Sequence, residues 1–160
     1  MGLLKLDAED IVQAAQAWQP GPCLSEARCQ ASLCTFLQQR FERSTFLVEH
    51  PVGEERADIF AQLRSSVGRG ADVIVELKYN LLDRNEYLRL KGQIDEYVGN
   101  SSAEIVVLLC GETKPEWVEN LKEYLAKLVC NRWFYKAIVD TKPITVRGKN
   151  GRFLPAAATA

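Results

Sequence analysis

The stretch VIVELKYN, residues 73–80, decides how the rest of the chain is read. Four of its first five residues are apolar, as in a buried strand, yet Glu76 and Lys78 sit two residues apart inside it. Side chains alternate across a strand, so Val73, Val75, Leu77 and Tyr79 share one face, and Ile74, Glu76 and Lys78 share the other. Both charges therefore project the same way, and an unpaired buried charge costs many kcal/mol. Something on that face has to compensate them.

Working outward, TFLVEHPV (45–52) and RADIFAQL (56–63) read as two further strands, with turns at 53–55 and at SSVGRG (65–70). Ala71–Tyr79 is the third strand of this antiparallel set. A turn centred on Val67 puts Asp58 and Glu76 at equal distances from it, hence directly opposite each other. Facing residues project on one side about 5 Å apart, and two carboxylates that close repel unless a cation lies between them. Oxygen ligands at sparse, partly hydrated positions suit Mg²⁺. A lysine beside them suits holding a water or countering phosphate charge.

Helices flank these strands. One is expected within residues 1–22 and ends at the QPGP breaker, 19–22. Ser25 caps the next, over Glu26–Glu42, whose buried stripe is Cys29, Leu33, Phe36, Leu37 and Phe41. Asp83 opens a third, with Glu86 completing a capping box and Gly99 as its stop. IVVLLC (105–110) is a strand covered on both faces. Pro115 starts a last helix, with Trp117, Leu121, Tyr124, Leu125 and Leu128 inward. WFYKAIV is the final strand. The third and fourth strands, joined by a helix, should run parallel with a right-handed crossover.

The order α, β, β, β, α, β, α, β implies an α/β fold with a mixed central sheet flanked by helices. Residues 1–22 are expected to be an N-terminal helical extension, 23–153 a single domain, and 154–160 a poorly ordered tail.

Bulk composition restricts the function classes. The chain has 160 residues, 47% hydrophobic and 26% charged, with a net charge of −1. No apolar run reaches membrane-spanning length, and residues 1–15 alternate apolar and acidic residues, unlike a signal peptide. Five cysteines (Cys23, Cys29, Cys34, Cys110 and Cys130) without C-x-x-C read as buried thiols of a reducing cytoplasm, and their spacing matches no metal motif. His50 alone cannot supply a zinc-hydrolase site. From residue 131 to 153 six basic residues face Asp140 alone, a rim suited to phosphates.

Asp58 followed by Glu76-Leu77-Lys78 resembles the PD-(D/E)xK nucleases, the restriction-endonuclease-like superfamily, with Ala57 where that pattern has proline. Within GQIDEY (92–97), Gln93 and Tyr97 resemble the Q-x-x-x-Y element of the RecB-like branch. Glu26 resembles the first-helix glutamate of many members, and αβββαβ is the superfamily's core. The resemblance spans about residues 26–128.

It implies a Mg²⁺- or Mn²⁺-dependent nuclease acting on nucleic acid, DNA ahead of RNA. Asp58, Glu76 and the Leu77 carbonyl would hold the metal, and Lys78 would assist the water. Glu26 would join the catalytic set, with Gln93 and Tyr97 steadying the site and contacting the nucleic-acid backbone. Gly92 would permit a close approach there. Trp133, Phe134 and Tyr135 read as core ahead of a base-stacking platform. No membrane partner is expected, and a homodimer or a larger nuclease, repair or defence assembly is compatible. The alternative is a catalytically inactive module of the same fold that binds nucleic acid or a protein partner.

Overall fold

The computed structural model describes residues 5–18, 25–111, 113–131, 136–140, 146–147 and 153–154, with side chains up to residue 127. Helices α1 (Ala8–Ala17) and α2 (Glu26–Arg40) precede strands β1 (Thr45–Val52), β2 (Glu55–Ser65) and β3 (Gly68–Tyr79). Then come α3 (Arg84–Asn100), β4 (Glu104–Cys110), α4 (Pro115–Asn131), β5 (Lys136–Asp140), β6 (Val146–Arg147) and β7 (Phe153–Leu154).

The strands form one mixed sheet in chain order. β1–β2 and β2–β3 are antiparallel, while β3–β4 and β4–β5 are parallel. The fold is thus α/β, a mixed sheet covered on both faces. Leu33 and Leu37 of α2 and Ile11 and Val12 of α1 pack on Val73, Val75 and Leu77. Leu90, Ile94 and Tyr97 of α3 and Leu121 and Leu125 of α4 pack with Ile74 and Phe60 on the opposite face. The helix read as an N-terminal extension lies inside the first of these cores. Among the described residues no helix is long and apolar enough to cross a membrane.

Local chemistry explains the element ends. Asp7 caps α1 in a reciprocal box with Asp10, and the Ser25 hydroxyl accepts the Arg28 N–H at the start of α2. Asp83 accepts the Glu86 N–H, but the Glu86 carboxylate does not return to the cap; it goes to Lys78. A buried ammonium outcompetes one backbone N–H for that carboxylate. α3 also runs through Gly99 and stops at Ser101, whose N–H donates to the Tyr97 carbonyl. Gly92 does not serve a close approach within the fold, since a Cβ there would meet nothing within 4 Å.

The β2–β3 hairpin turns at Ser66–Val67, half a residue from the expected centre, because Ser65 pairs Gly68 and Arg64 pairs Arg69. A bulge follows: Gly70 and Ala71 of β3 face Leu63 alone, and beyond it the pairs run from Gln62↔Asp72 to Ile59↔Val75. The bulge frees the Ala71 N–H, which donates to the Leu6 carbonyl at 2.8 Å. A Cβ at Gly70 would collide with that Leu6 oxygen, which is backbone and cannot swing away. Gly70→Ala is therefore expected to cost about 1–3 kcal/mol, read as a lower urea midpoint with an unchanged m-value.

The expected breaker at 19–22 (QPGP), Cys23, Trp133–Tyr135 and the tail beyond Leu154 lie outside the described residues. So do the side chains of Cys130 and of the basic segment. Cys29, Cys34 and Cys110 are buried, and burial pushes the Cys34 thiol pKa up.

Candidate active site at the end of the β2–β3 ladder

The ladder between β2 and β3 has its last registered pair at Ile59↔Val75. One step further the same register sets Asp58 opposite Glu76, and here side chains replace backbone carbonyls as acceptors. The Leu77 N–H donates to Asp58 Oδ2 at 2.8 Å, and the Asp58 N–H donates to Glu76 Oε1 at 3.4 Å. β3 meanwhile keeps its other neighbour, pairing β4 as far as Tyr79↔Cys110. The N–H and C=O of one strand residue project to the same edge, so the Leu77 carbonyl faces the opened ladder together with Asp58.

Both carboxyls are buried, Asp58 at 8% and Glu76 at 2% exposure. Desolvation is the first cause of their raised pKa values: Asp58 is pushed up to about 7 and Glu76 to about 9. Repulsion adds to it, from Asp58 on Glu76 and from Glu26 on both.

Tyr97 of α3 ties the pair to the helix layer. Its hydroxyl lies 2.7 Å from Glu76 Oε1 and 2.9 Å from the Arg56 carbonyl oxygen. The phenol O–H is shared between these two acceptors, and its bond to Glu76 opposes the rise of that carboxyl's pKa. Desolvation first, then the charge of Glu76, also raises the Tyr97 pKa, so the phenol stays protonated. Tyr97→Phe removes the hydroxyl that the Arg56 carbonyl accepts and one of the two donors to Glu76 Oε1. It is expected to cost about 1–3 kcal/mol in chemical denaturation.

Lys78 is buried and forms an ion pair with Glu86 of α3; its Nζ is 4.0 Å from Glu26 Oε2. That same Glu26 oxygen accepts the Tyr79 N–H at 3.1 Å, which fixes the start of α2 against the end of β3. The ammonium is near enough to pull the Asp58 pKa down, though it is the last of the causes acting there.

The structure thus gathers Asp58, Glu76, Leu77, Lys78, Glu26 and Tyr97. Gln93 does not join by a hydrogen bond: it is half-buried one turn before Tyr97, whose hydroxyl goes to Glu76 and Arg56. Two participants went unread. Glu86 looked like a cap. Glu49, where β1 passes Asp58, has a φ of 51° and raises the Asp58 pKa. The β1–β2 pairs on either side of it, Val48↔Ile59 and His50↔Ala57, place it opposite Asp58.

Among the described residues no three His, Cys, Asp or Glu side chains form a group that could hold a metal. Zinc-type coordination, with three or four protein ligands, has no basis here. Mg²⁺ is different: it needs one or two carboxylates and completes its shell with water and phosphate. Two buried, mutually repelling carboxyls beside the Leu77 carbonyl at the opened edge of the ladder fit that requirement. Comparison with protein-family models, curated proteins and solved structures finds no match.

Proposed function

We propose that the chain is a metal-dependent nuclease of PD-(D/E)xK type that hydrolyses phosphodiester bonds in nucleic acid, DNA ahead of RNA. One observation carries this reading: Glu26 and Glu86 pair with Lys78, which also acts on Asp58, while Asp58 and Glu26 both repel Glu76, so that among the described residues of this cluster four carboxyls gather with one ammonium. A purely structural ion pair has no need of that negative excess, whereas a site for a divalent ion and a phosphate does.

Asp58, Glu76 and the Leu77 carbonyl would hold Mg²⁺ or Mn²⁺, which when bound supplies Lewis-acid stabilisation of the charge on the phosphoryl and leaving oxygens. Lys78 orients a water and offsets the charge that develops as that water attacks phosphorus. Glu86 and Glu26 restrain the lysine, so its ammonium needs little reorganisation. Tyr97 fixes the rotamer of Glu76.

The test is incubation of the purified protein with linear, circular and branched DNA, and with RNA, with Mg²⁺, Mn²⁺ or a chelator. Metal-dependent cleavage that is lost in Glu76→Gln is expected. Retained binding with no cleavage of any substrate would replace this reading by that of an inactive nucleic-acid-binding module.

A further inference from the structure

At the far end of the same hairpin the charge reverses. A cleft of about 280 Å³ is lined by Arg43, Arg64 and Arg69 with Thr45, Gln62 and Leu63. A neighbouring cleft of about 580 Å³ shares Arg43 and Arg64 and adds Arg40. Four arginines gather there against Glu42, on the rim of the larger cleft, and Asp72, which meets Arg69 at 3.3 Å.

The arginines are held in place by backbone contacts. Arg64 lies directly across the ladder from Arg69, a facing pair of like charges that a sheet normally avoids. The Ser44 hydroxyl accepts the Arg64 N–H at 2.9 Å and donates to the Arg64 carbonyl at 3.2 Å. This pins the turn that carries Arg43 beside β2. Arg43 and Arg64 are exposed, and among the described residues neither meets a carboxylate. Three guanidinium groups on mutually fixed backbone positions supply donors of the kind that suit phosphate oxygens.

By strand alternation Arg64 lies on the same face of β2 as Asp58, six residues and about 20 Å away. A straight duplex covers that distance in about six base pairs. We infer that the Arg43–Arg64–Arg69 cleft is a second phosphodiester-backbone site, which grips a nucleic acid about six base pairs from the Asp58–Glu76 centre. It rests on the nuclease reading for the position of the cut, but its ligand chemistry stands on the arginines. A rigid polyanion reaches both centres, as a small phosphate compound does not.

The experiment compares the parent with the Arg43→Gln/Arg64→Gln/Arg69→Gln variant on a 20-base-pair DNA duplex. Binding is followed by fluorescence anisotropy in chelator at several salt concentrations, and cleavage by single turnover in Mn²⁺. The variant should bind on the order of 10- to 100-fold more weakly, with a salt slope smaller by about 2–3. Its cleavage rate at saturating DNA should stay within about twofold of the parent. The matching triple lysine variant keeps the charge and should keep the slope, which separates charge loss from misfolding. Equal affinity and slope in the glutamine variant of a parent that cuts would overturn this inference and leave the nuclease reading intact. Arginine-dependent binding by a parent that cuts nothing would support the cleft and remove the nuclease. A parent that binds anionic vesicles and no duplex would overturn both.

Discussion

Asp58→Asn is expected to stabilise the metal-free protein at pH 8 while abolishing Mn²⁺ binding, with cleavage falling on the order of 10³-fold. The asparagine oxygen can still accept the Leu77 N–H, so the seating of the residue is preserved. What disappears is the negative charge facing Glu76. The sign of the pH dependence follows from the raised pKa values of both carboxyls. The folded chain holds protons there that the unfolded chain has already released, so unfolding gives protons up. Stability is then fully present below the ordinary carboxylate range and is lost as pH rises toward about 7 for Asp58 and about 9 for Glu76. Each carboxyl contributes a slope of at most about 1.4 kcal/mol per pH unit. The parent should therefore melt lower at pH 9 than at pH 5 in chelator, and Asp58→Asn should flatten that decline. Saturating Mn²⁺ should restore the parent at pH 9 and leave the variant unmoved, because binding to the folded state alone raises stability. Calorimetry at two pH values adds a second check: Mn²⁺ should displace protons from the parent and bind more tightly as pH rises. Mn²⁺ binding by Asp58→Asn at parental affinity would remove the metal assignment.

The carboxylate pair was legible because two local rules converge on it. Alternation along β3 set Glu76 and Lys78 on one face, and counting from the hairpin turn set Asp58 opposite Glu76. The counting worked through two departures that cancel: the turn is centred between Ser66 and Val67, and the extra residue at Gly70–Ala71 restores the register. Neither departure shows in the sequence, because the bulge is recognisable only once Leu6 comes to lie against Gly70. Glu86 was illegible for a related reason. Its place three residues after Asp83 is equally that of a capping residue, and only the approach of α3 to the end of β3 gives it to Lys78. Tyr97 could be singled out through the Q-x-x-x-Y element, but its reach to Glu76 and to the Arg56 carbonyl depends on where that helix crosses the sheet. Local pattern thus carried β1 to β4 and the β2–β3 register, while the short strands β6 and β7 went unread. Contacts made between layers carried the second partner of each charge.

Lys78→Met is the other change expected to act strongly, and its structural partners make the outcome diagnostic. Methionine keeps the length and apolar stem of lysine and deletes the ammonium. Glu86 and Glu26 lose their shared cation, but their side chains are 38% and 39% exposed, so water can solvate them. The stability cost should accordingly be modest, about 1 kcal/mol, and far below that of orphaning a fully buried charge. Asp58 loses one of the influences that lower its pKa, so the metal-free variant should hold its protons still more tightly. Mn²⁺ affinity should change little at pH 8, since one nearby positive charge is removed while the oxygen donors stay. The chemical step is different. A water without its lysine is neither oriented nor electrostatically supported, and loss of one such group costs on the order of 10²–10³ in rate. Glu86→Gln provides the internal control: it keeps the ammonium and loosens its restraint, so its rate should fall by less than that of Lys78→Met. If Lys78 were only a structural partner of Glu86, both variants would lose activity in proportion to the folded protein remaining. Thermal unfolding, Mn²⁺ calorimetry and single-turnover cleavage on the same samples separate the two cases. A folded, metal-binding Lys78→Met protein that cuts at the parental rate would defeat the mechanism.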